Sequence, residues 1–130
     1  MSPTQRTMKR IREIDGKEAV VQIVEKRIPF HHITVDVFGC IDIIWIHGSK
    51  IMGIQACAGS GHAAHLRKAL AEPRLKRWLN ADALFEIWSW SKGGPRGKRK
   101  TWSVRVQQLC WDSDKAKIVV MPAEKPSSIR

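Results

Sequence analysis

The stretch that decides the fold is DVFGCIDIIWIHGSKIMGIQACA, residues 36–58. It holds two apolar segments, 40–47 and 50–57, separated by Gly48 and Ser49. Glycine at the first central position of a two-residue loop favours a type II′ turn, which joins two antiparallel strands. The stretch therefore predicts a buried β-hairpin.

Two polar side chains interrupt this apolar hairpin. With the Gly-Ser dipeptide as its loop, Asp42 lies directly opposite Gln55, and Cys40 lies opposite Cys57. The Cβ atoms of directly paired residues are about 4.5–5.5 Å apart. An acid and an amide side by side offer two oxygen ligands of the kind that Mg²⁺ prefers. The alternative is a purely structural hydrogen bond between Asp42 and Gln55 at the end of the sheet.

Outside the hairpin, the pattern predicts an α/β fold with one mixed sheet flanked by helices. Residues 16–28 place four aliphatic side chains on one side of a helical wheel, which predicts the first helix. The other predicted elements are strands at 31–37, 83–90 and 101–109, a helix within 59–70, and a short helix from Pro73 to about Asn80. Residues 1–15 are expected to be a flexible segment, residues 16–111 a single domain, and residues 112–130 a partly ordered tail.

The charge balance indicates the class of partner. The chain has 130 residues with 23 Lys plus Arg against 12 Asp plus Glu, a formal net charge of +11. A small domain this basic is typical of proteins that meet a polyanion, and nucleic acid is the leading choice. The alternative is a basic surface with no role in nucleic-acid binding.

The sequence also bears on the compartment. No apolar stretch is long enough to span a membrane, and the N-terminal basic residues are not followed by the apolar region of a signal peptide. The three cysteines are too few for a disulfide framework, so we expect free thiols. A reducing, cytoplasmic location in a bacterial or phage-infected cell is the expectation.

A basic segment lies between the last two predicted strands, and no acid occurs in residues 91–105. Lys and Arg neutralise phosphates, so we predict that this segment contacts DNA. Its cations are Lys92, Arg96, Lys98, Arg99 and Lys100, and it is flanked by Trp88, Trp90 and Trp102. These tryptophans either stack on unpaired bases or pack in the core.

The hairpin motif, with a helix before it and the segment HLRKAL after it, resembles the core of the PD-(D/E)XK nuclease superfamily, in particular its small phage and bacterial branch near Holliday junction resolvases. The resemblance covers roughly residues 16–91. It implies a restriction-endonuclease-like αβββαβ core, and Mg²⁺- or Mn²⁺-dependent hydrolysis of phosphodiesters in branched DNA. It also implies a homodimer, with the tryptophan-bearing strands as a candidate interface.

The resemblance assigns roles residue by residue. Asp42 and Gln55 match the metal ligands, and the backbone carbonyl of Ala56 would be a third ligand. Glu18 matches an acid that some members carry on the first helix, with Glu25 as the fallback.

One position departs from the family pattern, because Cys57 occupies the place of the motif lysine. A thiol cannot supply a fixed positive charge to phosphate. Either Lys68 or Arg67 replaces the lysine from the following helix, or the chain is a catalytically inactive module that still binds nucleic acid. A third hypothesis is an interaction protein that uses its basic surface against an acidic partner.

Overall fold

The structure is a computed structural model that describes residues 1–30, 33–94 and 100–122. These residues form three α-helices and eight strands. The helices are α1 (Pro3–Asp15), α2 (His62–Ala71) and α3 (Pro73–Asn80). The strands are β1 (Val20–Ile23), β2 (Lys26–Ile28), β3 (Ile33–Val35), β4 (Ile43–His47), β5 (Lys50–Ala58), β6 (Leu84–Gly93), β7 (Thr101–Asp112) and β8 (Lys117–Val120).

Six of the strands form one mixed sheet in the order β1-β4-β5-β6-β7-β8. Strands β5 and β6 run parallel and are connected through α2 and α3, while the other neighbours are antiparallel. Strands β2 and β3 form a separate two-stranded arm. The predicted mixed α/β architecture is therefore confirmed.

The central hairpin has the predicted register. His47 pairs with Lys50, and the pairing continues to Ile43 opposite Ile54. Gly48 has a φ of 61°, whereas Ser49 is not among the residues with positive φ. Positive φ at the first central position only is the signature of the type II′ turn.

Each face of the sheet is covered by different helices. Helix α1 packs Met8 and Ile11 against a buried layer that includes Trp45 and Trp88. Helices α2 and α3 cover the opposite face, where their apolar residues meet Phe85 and other buried side chains. The alternation of side chains along β4 and β5 supplies both layers, which explains why the hairpin is almost continuously apolar.

The prediction for the N-terminal region was wrong in two respects. Residues 3–15 form a helix, and residues 16–28 form a short 3₁₀ turn followed by β1 and β2. The helix begins with a capping box, in which the Ser2 hydroxyl accepts from the Gln5 N–H and the Gln5 side chain accepts from the Ser2 N–H. Its buried positions Thr7, Met8 and Ile11 follow the i, i+1, i+4 spacing of one helical face. Residues 19–24 are mostly β-branched, and pairing with β4 decides their conformation.

The remaining elements agree more closely. Helices α2 and α3 and strands β6 and β7 lie where the sequence predicts them. The expected tail contains β8, which pairs with the end of β7, while residues 123–130 lie outside the described residues. Among the residues that the structure describes, no helix has the length and apolar character needed to span a membrane.

Candidate functional site

Asp42 lies immediately before β4, where β1 has just ended and β5 continues past the start of β4. Its backbone N–H donates to Ile54 O at 2.8 Å. Its carbonyl accepts from the N–H groups of Val24 at 2.8 Å and Glu25 at 3.1 Å. The backbone of Asp42 is therefore held from both neighbouring strands, which fixes the direction of its side chain.

The Asp42 carboxylate contacts Gln55 and Ala56, as the hairpin register predicts. Gln55 Nε2 donates to Asp42 Oδ2 at 2.5 Å, and the Ala56 N–H donates to the same oxygen at 3.0 Å. Both polar side chains are 3% exposed. Because the N–H and C=O of a strand residue point to the same neighbour, the Ala56 carbonyl also points toward Asp42.

Two buried polar atoms beside this pair have no hydrogen-bond partner. They are Gln55 Oε1 and His65 Nδ1, and they are the two such side-chain atoms found in the described residues. Both residues line the same cleft as Asp42. Buried polar groups are nearly always paired, so two unpaired atoms in one cleft are available to bind water, an ion or another ligand.

The cleft is open to solvent and has a volume of about 610 Å³. Its walls come from the first turn of α1, the end of β1, the β2–β3 arm, the end of β5 and helix α2. The polar lining residues, besides Asp42 and Gln55, are Thr4, Gln5, Glu25, Thr34, Asp36, His65 and Lys68.

Three acids converge on this cleft. Burial first, and then the nearby carboxylates of Glu25 and Asp36, raise the pKa of Asp42 to about 7, against the opposing effect of the hydrogen bond from Ala56. A buried carboxylate beside two others is costly unless a cation compensates it. A cation bound in the cleft would therefore stabilise the acids at positions 25, 36 and 42.

Helix α2 places a cation and an imidazole at the cleft. Lys68 is exposed and lines it, while His65, one turn earlier, is half-buried. Burial first, and the Lys68 ammonium second, lower the pKa of His65. A lowered pKa favours the neutral imidazole, whose unprotonated nitrogen can accept a hydrogen bond.

Other predicted residues are placed differently. Glu18 is exposed in the 3₁₀ turn before β1 and is not among the cleft residues, whereas the fallback Glu25 is. The assignment of Glu18 depended on a helix at 16–28 that does not form. Arg67 is exposed on α2 but does not line the cleft. Cys57 does line it, and burial, with the Asp42 charge, raises the pKa of this thiol to about 11.

The predicted basic segment is only partly described. Lys92 and Lys100 are exposed, while Arg96, Lys98 and Arg99 lie outside the described residues. Trp88 and Trp90 are buried in the core against α1, which excludes them as exposed interface or stacking residues. Trp102 is 45% exposed.

The sequence analysis did not assign Asp36 or His65 to the site. Asp36 precedes the hairpin, and the pairing of Val37 with Ile41 across a short turn brings it opposite Asp42. His65 was visible as part of an i, i+3 pair with His62, but nothing in that spacing distinguishes the two. The structure separates them, because His62 is buried with partners at both ring nitrogens.

The residues fit a cation that takes few protein ligands. Within residues 1–30, 33–94 and 100–122, no three His, Cys, Asp or Glu side chains are arranged to hold a metal ion by themselves. The donors present are Asp42, the unpaired Gln55 Oε1 and the Ala56 carbonyl. Mg²⁺ commonly binds through one or two carboxylates and keeps several waters, so this oxygen set suits it.

Comparison with known proteins finds no matching family model, no similar curated protein and no similar solved structure. The geometry of the cleft therefore carries the functional proposal.

Proposed function

We propose that this protein is a metal-dependent DNA endonuclease of the PD-(D/E)XK type. The observation that carries the proposal is the buried Asp42–Gln55 pair, with its unpaired amide oxygen, in an acid-lined cleft that also presents Lys68. A metal site with acidic ligands beside Lys68 suits phosphodiester hydrolysis. This reaction requires the negative charge of the phosphate to be neutralised and a water to be activated.

The chain order of the elements supports the same reading. Helix α1, strands β1, β4 and β5, helix α2 and strand β6 follow one another, apart from the inserted arm and the short helix α3. The first three strands are antiparallel neighbours, and β6 lies parallel to β5. We infer from this order a restriction-endonuclease-like αβββαβ core with β7 and β8 added at one edge.

Each cleft residue has a part in the proposed reaction. Asp42, Gln55 Oε1 and the Ala56 carbonyl would hold Mg²⁺ or Mn²⁺, which when bound would supply Lewis-acid chemistry at the phosphate. Glu25 would orient the attacking water, the role first expected of Glu18. Lys68 neutralises charge on the phosphate as the transition state develops.

The position of Lys68 bears on the missing motif lysine. Cys57 is neutral at physiological pH, since its pKa is raised, and cannot supply the charge. Lys68 is a cation on the following helix that lines the same cleft. We therefore favour relocation of the lysine over loss of catalysis.

The second candidate is a nucleic-acid-binding module without catalysis. The observation in its favour is Cys57, which leaves the motif position uncharged. In this case the protein binds DNA without cutting it, and Asp42 and Lys68 have no catalytic role. The unpaired Gln55 Oε1 and the raised pKa of Asp42 argue against it, because a retired site has no reason to keep a costly buried acid.

The partners in the proposal are branched or otherwise structured DNA and a second copy of the chain. The net charge of +11 supports the polyanion. An exposed row of branched aliphatic side chains gives a second copy a surface on which to pack, since Val20 pairs with Ile46 and Ile46 with Ile51 across three neighbouring strands. Sedimentation of the purified protein tests the dimer.

The decisive experiment is cleavage of a four-way junction and of a linear duplex in Mg²⁺ or Mn²⁺. We expect cutting that chelation abolishes and that Asp42→Asn reduces by at least about a hundredfold, because this substitution removes the buried charge that holds the cation. Asp114→Asn is the matched control, since it removes an exposed acid far along the chain, between β7 and β8. Binding without cutting in either metal would favour the non-catalytic module.

A further inference from the structure

A second concave surface lies on the α1 face of the sheet, separate from the acid-lined cleft. It is a groove of about 300 Å³ between α1 and the β6–β7 strands. We call it the α1 groove and define it by its main lining residues, which are Arg6, Lys9, Arg10, Trp90, Trp102 and Ser103.

The α1 groove combines an aromatic surface with positive charge. The Arg6 guanidinium lies 3.6 Å from the centroid of the Trp102 ring. Glu13, the one acid of the groove, is paired with Arg10 at 3.1 Å. Neither Arg6 nor Lys9 forms an ion pair with a carboxylate of the described residues, so neither charge is neutralised there.

The exposure of Trp102 is not explained by packing. Other tryptophans of this sheet are anchored, since Trp88 donates to Glu86 at 3.1 Å and Trp90 donates to the Thr7 hydroxyl at 2.9 Å. Trp102 is instead 45% exposed on the same face of the sheet as the core residue Val104. An aromatic ring held in place by a guanidinium, with its remaining surface open, is a platform for a planar ligand.

The groove is adjacent to the cleft. The first turn of α1 contributes Ser2, Thr4 and Gln5 to the cleft, and the next turn contributes Arg6 and Lys9 to the groove. On the sheet, Ala58 of the cleft pairs with Trp90 of the groove. A chain molecule lying in the groove can therefore continue past the start of α1 into the cleft.

We propose that the α1 groove binds an unpaired segment of a nucleic-acid strand, with one base stacked on Trp102 and the flanking phosphates held by Arg6 and Lys9. Base stacking on aromatic side chains and backbone neutralisation by cations are the two features of single-strand binding. The volume suits a nucleotide or two, and a base inside a duplex is not free to stack on a protein ring. The identity of the polymer rests on the proposed function, whereas the groove itself does not.

The test is anisotropy of a labelled oligothymidine of about 15 nucleotides, in EDTA so that no cleavage occurs. Trp102→Leu should weaken binding about tenfold, and Trp102→Phe should retain most of it because a ring remains. Arg6→Ala should weaken binding by a similar factor and lower the salt dependence by about one phosphate contact. Arg12→Ala is the matched control, because it removes the same charge from the same helix without lining the groove, and its effect should be at most about threefold.

Two further arms separate the alternatives. An oligonucleotide of the same length without bases should bind wild type and Trp102→Leu equally, and a fully paired duplex should not distinguish them either. Equal binding of wild type and Trp102→Leu to the oligothymidine, with both proteins folded by circular dichroism, would overturn the proposal. So would a loss in Arg12→Ala as large as that in Arg6→Ala.

Failure of this inference and failure of the nuclease proposal give different results. If DNA cutting requires metal and Asp42 but Trp102→Leu binds the oligothymidine as wild type does, the groove proposal fails and the nuclease proposal stands. If oligothymidine binding requires Trp102 but no DNA is cut in any metal, the nuclease proposal fails and the groove proposal stands.

Discussion

Two buried polar clusters are associated with α2, and they differ in one respect. In the first, His62 Nδ1 contacts Ser89 Oγ at 2.7 Å, and His62 Nε2 contacts Gln107 Oε1 at 2.7 Å. Gln107 Nε2 in turn donates to Met121 O at 3.1 Å. In the second, around Asp42 and Gln55, two atoms have no partner and the acid has a raised pKa.

The difference separates structure from function. The His62 cluster is closed, because Gln107 donates through its amide nitrogen to Met121 O and presents its oxygen to His62, while the other ring nitrogen contacts Ser89 Oγ. Such a network ties α2 to β6, β7 and the chain after β8. The Asp42 cluster is open, and its unsatisfied groups have a cost in the isolated protein that a bound ligand would remove.

The largest expected effect on stability comes from a substitution that disrupts the closed His62 cluster. His62→Ala leaves Ser89 and Gln107 buried without their shared partner, so it should lower the free energy of unfolding by about 3 kcal/mol. Urea denaturation measures this. The matched variant His65→Ala, one turn further along α2, should change it by less than about 1 kcal/mol because its buried nitrogen has no partner to lose. Equal losses in the two variants would remove the distinction between the clusters.

The next effect has the opposite sign and concerns the open cluster. In EDTA at pH 8, Asp42→Asn should stabilise the protein by about 2 kcal/mol, since the amide oxygen can still accept from Gln55 and Ala56 without a buried charge. The folded pKa of about 7 exceeds the usual 3.8. The folded state therefore binds more protons between these values, and wild-type stability should fall as pH rises through that window.

Thermal melts between pH 4 and pH 8 measure this dependence. The melting temperature of wild type should fall as pH rises through this window, and that of Asp42→Asn should lack the part of this fall that comes from Asp42. Added Mg²⁺ should stabilise wild type but not Asp42→Asn. A variant that is less stable than wild type at pH 8 would contradict the view that the Asp42 charge is uncompensated.

The smallest effect sharpens the role of the cation on α2. Lys68→Ala should slow DNA cleavage about tenfold or more with little change in stability, since Lys68 is exposed and lines the cleft. Arg67→Ala removes a neighbouring exposed charge that does not line the cleft and should act only through a modest change in affinity. If the two variants slow single-turnover cleavage equally, Lys68 has no special role at the phosphate.

The sequence was sufficient for the hairpin and insufficient for what surrounds it. Gly48 with Ser49 determined the turn, and the turn determined that Asp42 meets Gln55, because a two-residue loop leaves one register. Glycine, proline and alternation also located α2, α3, β6 and β7. These features depend on the local conformational preferences of a few neighbouring residues, which can be predicted from the sequence alone.

Tertiary context decided the rest. Residues 19–24 have a helical pattern of valines, yet they form an edge strand because β4 offers unpaired backbone groups. Helix α1 was overlooked because its polar composition obscured a narrow apolar face. Glu25 reaches the cleft because the chain that follows β1 hydrogen-bonds to the Asp42 carbonyl. Asp36 reaches it because Val37 pairs with Ile41 across a short turn, which brings the preceding residue opposite Asp42.

The most direct test of the account is a calorimetric titration of Mn²⁺ into the full chain and into Asp42→Asn at pH 7.5, without DNA. The cleft should bind the ion in the wild-type protein, and Asp42→Asn should lose at least about tenfold in affinity, while Asp114→Asn should match wild type. Absence of binding in the wild type, or equal binding in Asp42→Asn, would contradict the claim that the open cluster is a cation site.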